Sequence, residues 1–208
     1  MTMAARGRFI TLEGIDGAGK SSHVEFLRER IAARGVEVEV TREPGGTPFG
    51  EKLREVLLHQ ASPPLAEAIA MFADRSAHIA GMIEPTLAAG AWVLCDRFSD
   101  STYAYQCGGR GADRAAVAAL ERIVHPALQP DATFLFDLDP AVAYERQRRR
   151  STAPDKFERE QADFFRRVRD AYLERAREFP RRIHVVDASG TVEAVRARLG
   201  EAFARVFP

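Results

Sequence analysis

Apolar positions along the chain follow two rhythms. Near-continuous apolar or β-branched runs occur at Phe9–Glu13, Trp92–Asp96, Thr133–Asp137 and Ile183–Asp187, while Val36–Thr41 alternates valine with glutamate. The continuous runs predict strands covered on both faces, and the alternating run predicts a strand nearer a sheet edge. Between them lie stretches of helical spacing. Val24, Leu27 and Ile31 mark the first, with Gly35 as its stop. Others cover residues 63–90, 114–124, 141–150, 158–179 and 191–207. Strands separated by helices need crossover connections. The pattern therefore predicts an α/β fold with a five-stranded, mostly parallel sheet flanked by helices on both faces. With no repeat or linker in view, residues 1–208 read as a single domain.

Composition narrows the classes of partner. Thirty basic side chains balance thirty acidic ones, so no net field calls for nucleic acid or a membrane surface. The two cysteines, Cys95 and Cys107, have no metal spacing and suit a reducing compartment. No signal-peptide core or membrane-length run is present, and the expectation is a soluble, cytoplasmic protein.

The first strand runs into Gly14-Ile15-Asp16-Gly17-Ala18-Gly19-Lys20-Ser21, a full G-x-x-x-x-G-K-[ST] match, with Ser22 following. Glycines let backbone N–H groups approach phosphate oxygens, and the next helix adds its positive N-terminus. Lys20 is placed to reach the terminal phosphates, and the Ser21 hydroxyl to ligate Mg²⁺. A nucleoside triphosphate with Mg²⁺ follows. The loop itself serves ATPases, GTPases and small kinases alike. There is no N-K-x-D guanine motif, and the length leaves little room for a mechanical domain, so a small kinase leads.

Two arginine-bearing segments follow strands, where open α/β sheets place ligands. "TREPGGTPFG" carries Arg42, and "LCDRFSDSTYAYQCGGRG" carries Asp96, Arg97 and Arg110. Arginine forks suit a second, acceptor phosphate, although strand-end arginines also make structural ion pairs. Asp96, closing a strand beside the phosphate loop, is a candidate Mg²⁺ partner. Phe72, Arg75, Tyr103, Tyr105 and Gln106 offer rings and polar groups that suit a base, although an aromatic such as Phe72 on an apolar helix face more often packs in the core.

"EGIDGAGKSS", "TREPGGT" and "DRFSDSTYAYQCGGRG", in this order, resemble the thymidylate kinase family of bacterial type. The resemblance implies a P-loop kinase fold with a short lid, and transfer of phosphate from ATP to dTMP in dTTP synthesis. It implies that Arg42 and Arg97 hold the dTMP phosphate and that Phe72 stacks on thymine. Arg75, Ser101, Thr102 and Gln106 then address the base and its surroundings. Tyr105 lies by the deoxyribose, and Asp16 near the sugar hydroxyl and the arginines. Phe72 and Arg75 are three residues apart where many members have four, so Met71 is an alternative for the stacking position. The resemblance also implies a homodimer, to which the long alanine-rich helix would contribute.

Phosphoryl transfer needs positioning and charge stabilisation more than covalent chemistry. The loop has no arginine of its own. "ERQRRRSTAPDKFERE" supplies a basic segment broken by Pro154, a lid at about residues 148–157. By resemblance Arg150 is the catalytic arginine, with Lys20, Arg97 and Asp16 completing the set. Arg146 and Arg148 are supporting candidates, and Lys156 adds charge. The other reading of this run is a solvated basic helix face. The resemblance also implies that the backbone of "VVDASG" lies by the adenine.

Overall fold

The computed structural model describes residues 6–148 and 158–208. Strands β1 (Phe9–Glu13), β2 (Val38–Arg42), β3 (Trp92–Asp96), β4 (Ala132–Asp137) and β5 (Ile183–Asp187) form one parallel sheet in the order β2-β3-β1-β4-β5. The alternating strand is at an edge, as its pattern predicts, but begins at Val38, two residues later than expected. Register sets Asp96 opposite both Leu12 and Arg42. The carboxyl ends of β1, β3 and β2 thus bring the phosphate loop and both arginine segments side by side.

Helices cover both faces. The larger apolar core packs Ile10, Leu12 and Phe134 of the sheet against Leu27 and Ile31 of α1 (Ser21–Ala32) and against residues from the C-terminal part of the chain. On the opposite face, Phe9 and Val93 meet Ile83, Leu87 and Phe98.

Three helical pieces depart from the expected pattern. Residues Pro48–His59 form α2, where the sequence reads as loop; Thr47 caps it by accepting Gly50 N–H at 3.0 Å, with Pro48 in its first turn. The long apolar stretch divides into α3 (Pro64–His78), a π-helical stretch (Ile79–Ile83) and α4 (Glu84–Ala88). After β3, α5 (Ser99–Thr102) leads into a second π-helical stretch, Tyr103–Gly109, where a loop is expected. Such wide turns concentrate at functional sites because they re-aim side chains without ending the helix. The sequence-predicted α6 is found at Arg114–Val124.

Three more helices complete the chain: α7 (Pro140–Arg148), α8 (Glu158–Glu178) and α9 (Val192–Val206). Helix α8 is anchored from beneath. Arg175 Nε and Arg182 Nη1 donate to the buried Asp100 at 2.9 and 2.6 Å, tying α8 and the start of β5 to α5. Removing one member of so buried a group leaves an unpaired charge and costs about 3–5 kcal/mol.

Candidate active site

The phosphate loop adopts a shape only glycine permits at its start. Gly14 has φ of 139°, and a Cβ there would lie 2.5 Å from the Phe136 carbonyl oxygen. Ile15 and Ala18 are buried in the core, while Asp16, Ser21 and Ser22 are exposed. Lys20 is buried and donates to Gly14 O at 3.0 Å. Burial, then the neighbouring Arg97, pulls its ammonium down to about 8 against the pull of Asp96, Asp16 and Glu13.

A cavity of about 210 Å³ opens over this loop, bordered by Asp16, Lys20, Ser21, Arg42, Asp96 and Arg97. Arg42 forks onto both oxygens of Glu51 at 2.9 Å and is half exposed. Asp96 Oδ1 is buried with no partner, and the residue borders the same cavity as Lys20 and Ser21. Among the described residues no three His, Cys, Asp or Glu side chains form a metal cage. A lone carboxylate and hydroxyl suit Mg²⁺, which keeps waters and takes its other ligands from substrate phosphates.

Arg97 is the only non-glycine among the described residues with positive φ, at 78°. Its side chain over-determines that conformation. Nη2 donates to Asp16 Oδ1 at 2.6 Å and Tyr105 OH at 3.0 Å; Nη1 donates to Ser101 Oγ at 3.1 Å and Tyr172 OH at 3.0 Å. The guanidinium also lies 4.7 Å from the Tyr105 ring centre. Partial loss of water to its neighbours would by itself raise the carboxyl of Asp16, a half-exposed side chain, but Arg97 and Lys20 outweigh it and hold it below its ordinary value.

A second cavity of about 310 Å³ shares Asp16, Glu43, Arg54 and Arg97 with the first. Its farther wall is mixed: Met71, Phe98, Leu57, Thr102, Tyr105 and Gln106. Arg75, 1% exposed, donates from Nε to Glu43 at 2.8 Å and from Nη2 to Thr102 Oγ1 at 3.2 Å, leaving Nη1 buried and unpartnered. Phe72 is not on this wall. It is buried with Ala68, Tyr103 and Val117, its ring 6.0 Å from that of His125. One residue along a helix turns the side chain by about 100°, and that rotation gives Met71 the cavity and Phe72 the core.

Several neighbours of the cavities escape the sequence reading. Glu13 is fully buried and accepts from Phe98 N–H at 2.7 Å, Ser101 Oγ at 2.6 Å and Tyr172 OH at 2.8 Å. An acid closing an otherwise apolar strand is its one visible signal. Arg54 borders both cavities and donates to Pro44 O at 2.8 Å; it went unseen with α2. Tyr172, in the middle of α8, has no local signature.

A third cavity, about 240 Å³, lies behind the loop between Gly19, His23, Gly190 and Thr191. Arg146 borders it and donates to the Ala188 and Gly190 carbonyls at 3.1 Å. The "VVDASG" backbone thus meets the phosphate loop. Arg148 is exposed near Glu145 at 3.8 Å. Arg149, Arg150 and Lys156 lie outside the described residues, as does most of the expected lid.

Two adjoining cavities that share Arg54 and Arg97, on the carboxyl edge of a parallel sheet, place the chain in the P-loop class of nucleotide-handling α/β proteins. Comparison with known proteins resolves the class further. The chain belongs to the thymidylate kinase family, whose family model matches residues 12–199. It is 56% identical over 191 residues to a thymidylate kinase of Methylobacillus flagellatus, covering 92% of this chain and 94% of that protein. It is also 56% identical to that of Thiobacillus denitrificans, covering 95% and 96%. The crystal structure of thymidylate kinase from Ehrlichia chaffeensis superposes with a TM-score of 0.78 at 33% identity, covering 96% of this chain and 99% of that one.

Proposed function

We propose that this chain is an ATP-dependent nucleoside monophosphate kinase that transfers the γ-phosphoryl group of ATP to dTMP, releasing ADP and dTDP for dTTP synthesis. Family membership supports the reaction. The observation that carries the assignment of parts is the pair of cavities meeting at Arg97: one lined by the phosphate loop, the other by a methionine, a tyrosine and amide and guanidinium groups.

In this reading the backbone from Gly14 to Ser22 cradles the ATP phosphates and Lys20 meets their outer oxygens. The third cavity takes the adenine. Ser21 and Asp96 would hold Mg²⁺, which neutralises charge on the phosphates. Arg42 and Arg97, with Arg54 between the cavities, receive the dTMP phosphate. Arg42 exchanges Glu51 for it, a trade between two anions at an exposed side chain. Met71, Arg75, Ser101, Thr102, Tyr105 and Gln106 surround the nucleoside, and Phe72 supports that wall from within. Asp16 orients Arg97. No general base is needed, because the acceptor phosphate is already an anion.

The whole chain acts as one kinase domain, with residues 148–157 closing over ATP and Arg150 meeting the transferring group. Closure excludes water, which would otherwise accept the phosphoryl group. Exposed Val56 and Leu58 on α2, Leu65 and Ile69 on α3 and Ile123 on α6 support a homodimer through that side. Among the described residues no helix is long and apolar enough to cross a membrane.

Coupled ADP release, measured with dTMP, dUMP, UMP, CMP and AMP, tests the reaction. The expected result is preference for dTMP; turnover confined to another monophosphate, or absent with all, overturns it.

A further inference from the structure

We infer that Glu67 is the positioning residue through which the nucleoside cavity tells a keto-pyrimidine from an amino-pyrimidine, an inference that rests on reading that cavity as the acceptor-base site. Glu67, Met71 and Arg75 recur every fourth residue on α3 and border the cavity together. Glu67 is buried, and its two oxygens have separate partners. Oε1 accepts from Gln106 Nε2 at 3.0 Å, and Oε2 pairs with Arg110 Nη1 at 3.0 Å.

A carboxylate held against a guanidinium offers acceptors only, so Gln106 must turn its NH₂ end toward Glu67. Shape alone does not choose between the two ends of an amide; this neighbour does. The acceptor that Gln106 has left is Oε1, to which no described residue donates. Arg75 is fixed in the opposite sense. Glu43 and Thr102 take Nε and Nη2, and Nη1 remains as a buried donor without a partner.

Two residues that border the cavity, Gln106 and Arg75, are therefore left with one acceptor and one donor that no described residue pairs. Thymine and uracil present the complement, an N3–H donor beside an O4 acceptor. Cytosine presents the reverse, a bare N3 beside an amino group. In this cavity it would set acceptor against acceptor and donor against donor, and leave buried polar groups unpaired. An amide at position 67 would pair with Gln106 in either orientation, and the polarity of the reading edge would be lost.

The test is kcat/KM for dTMP, dUMP and dCMP in the wild type, Glu67→Gln and Gln106→Ala. Glu67→Gln should lower the dTMP:dCMP ratio by about tenfold or more and leave the dTMP:dUMP ratio unchanged, because those two bases share the edge in question. A general loss of packing would move all three substrates together, and that result, or an unchanged dTMP:dCMP ratio, overturns the role of Glu67. If Gln106→Ala shifts the ratio while Glu67→Gln does not, only the present inference falls. If neither shifts it, the base-site reading falls as well. Should Glu67→Gln not fold, Glu67→Asp, which draws the acceptor back from Gln106 by one methylene, must lower the same ratio.

Discussion

The hydroxyl of Tyr172 donates to Glu13 at 2.8 Å and accepts from Arg97 at 3.0 Å. Helix α8 is thereby fastened to the end of β1 and to the Arg97 guanidinium, which borders both cavities. Tyr172→Phe keeps the ring and removes both contacts. It should raise KM for dTMP by about tenfold and cost about 1–2 kcal/mol of stability. Steady-state kinetics beside thermal melts check this; wild-type kinetics in the variant would show that Arg97 holds its aim without Tyr172.

Glu13 gives stability a pH dependence of unusual sign. Burial, reinforced by Asp100, lifts its carboxyl from 4.5 to about 7, against Arg97, Ser101 and Tyr172. Between those values the folded chain binds a proton that the unfolded chain has released. The contribution is therefore complete below about pH 4.5 and is lost as pH rises through about 7. Glu13→Gln cannot ionise and should remove that decline. Its melting temperature should fall less than that of the wild type between about pH 5 and about pH 8; parallel curves would refute the shift.

Lys20 acts at the other end of the scale. With its ammonium drawn down to about 8 by burial and Arg97, the form that attracts phosphate disappears above that pH. The logarithm of kcat/KM for ATP should fall toward a slope of −1 above about pH 8. A profile flat to about pH 9.5 would mean that bound phosphate is not sensed by this amine.

Asp96 carries an unpartnered buried oxygen. Asp96→Asn keeps the shape but not the charge, and should raise the Mg²⁺ concentration giving half-maximal rate by about 10–100-fold. Titration of Mg²⁺ at saturating ATP and dTMP reads this. An unchanged midpoint would place the ion elsewhere.

Adjacent residues on α3 should separate cleanly. Phe72→Ala opens the core against His125 and Tyr103 and should cost about 3–5 kcal/mol by denaturant unfolding. Met71→Ala should leave stability within about 1 kcal/mol and raise KM for dTMP. The reverse pattern would return the base contact to Phe72.

These particulars show what the chain spells out and what it does not. All five strands and α6 are legible because the apolar period is local and nothing interrupts it. Strand β2 reads as an edge from its valine–glutamate alternation. The phosphate loop is legible because its glycines answer a backbone requirement, as Gly14 shows. Helix α2 is hidden behind the Pro-Gly-Gly-Thr-Pro run, which resembles a loop until Thr47 is seen capping it. The π-helical stretches are hidden too, since nothing local distinguishes them from their neighbours. Between Phe72 and Met71 the sequence leaves the base contact open, because a step of one residue on a helix exchanges cavity for core. Tyr172 reaches Glu13 across 159 residues of chain; only the folded chain brings them together.

Arg97 borders both cavities, and that location has a thermodynamic corollary. Whatever factor the first nucleotide imposes on the dissociation constant of the second must be returned by the second on the first, because the cycle of four binding states closes. Donor and recipient are thus partners in a reciprocal bargain struck at the few side chains the cavities share, and any coupling measured from one side must be found undiminished from the other.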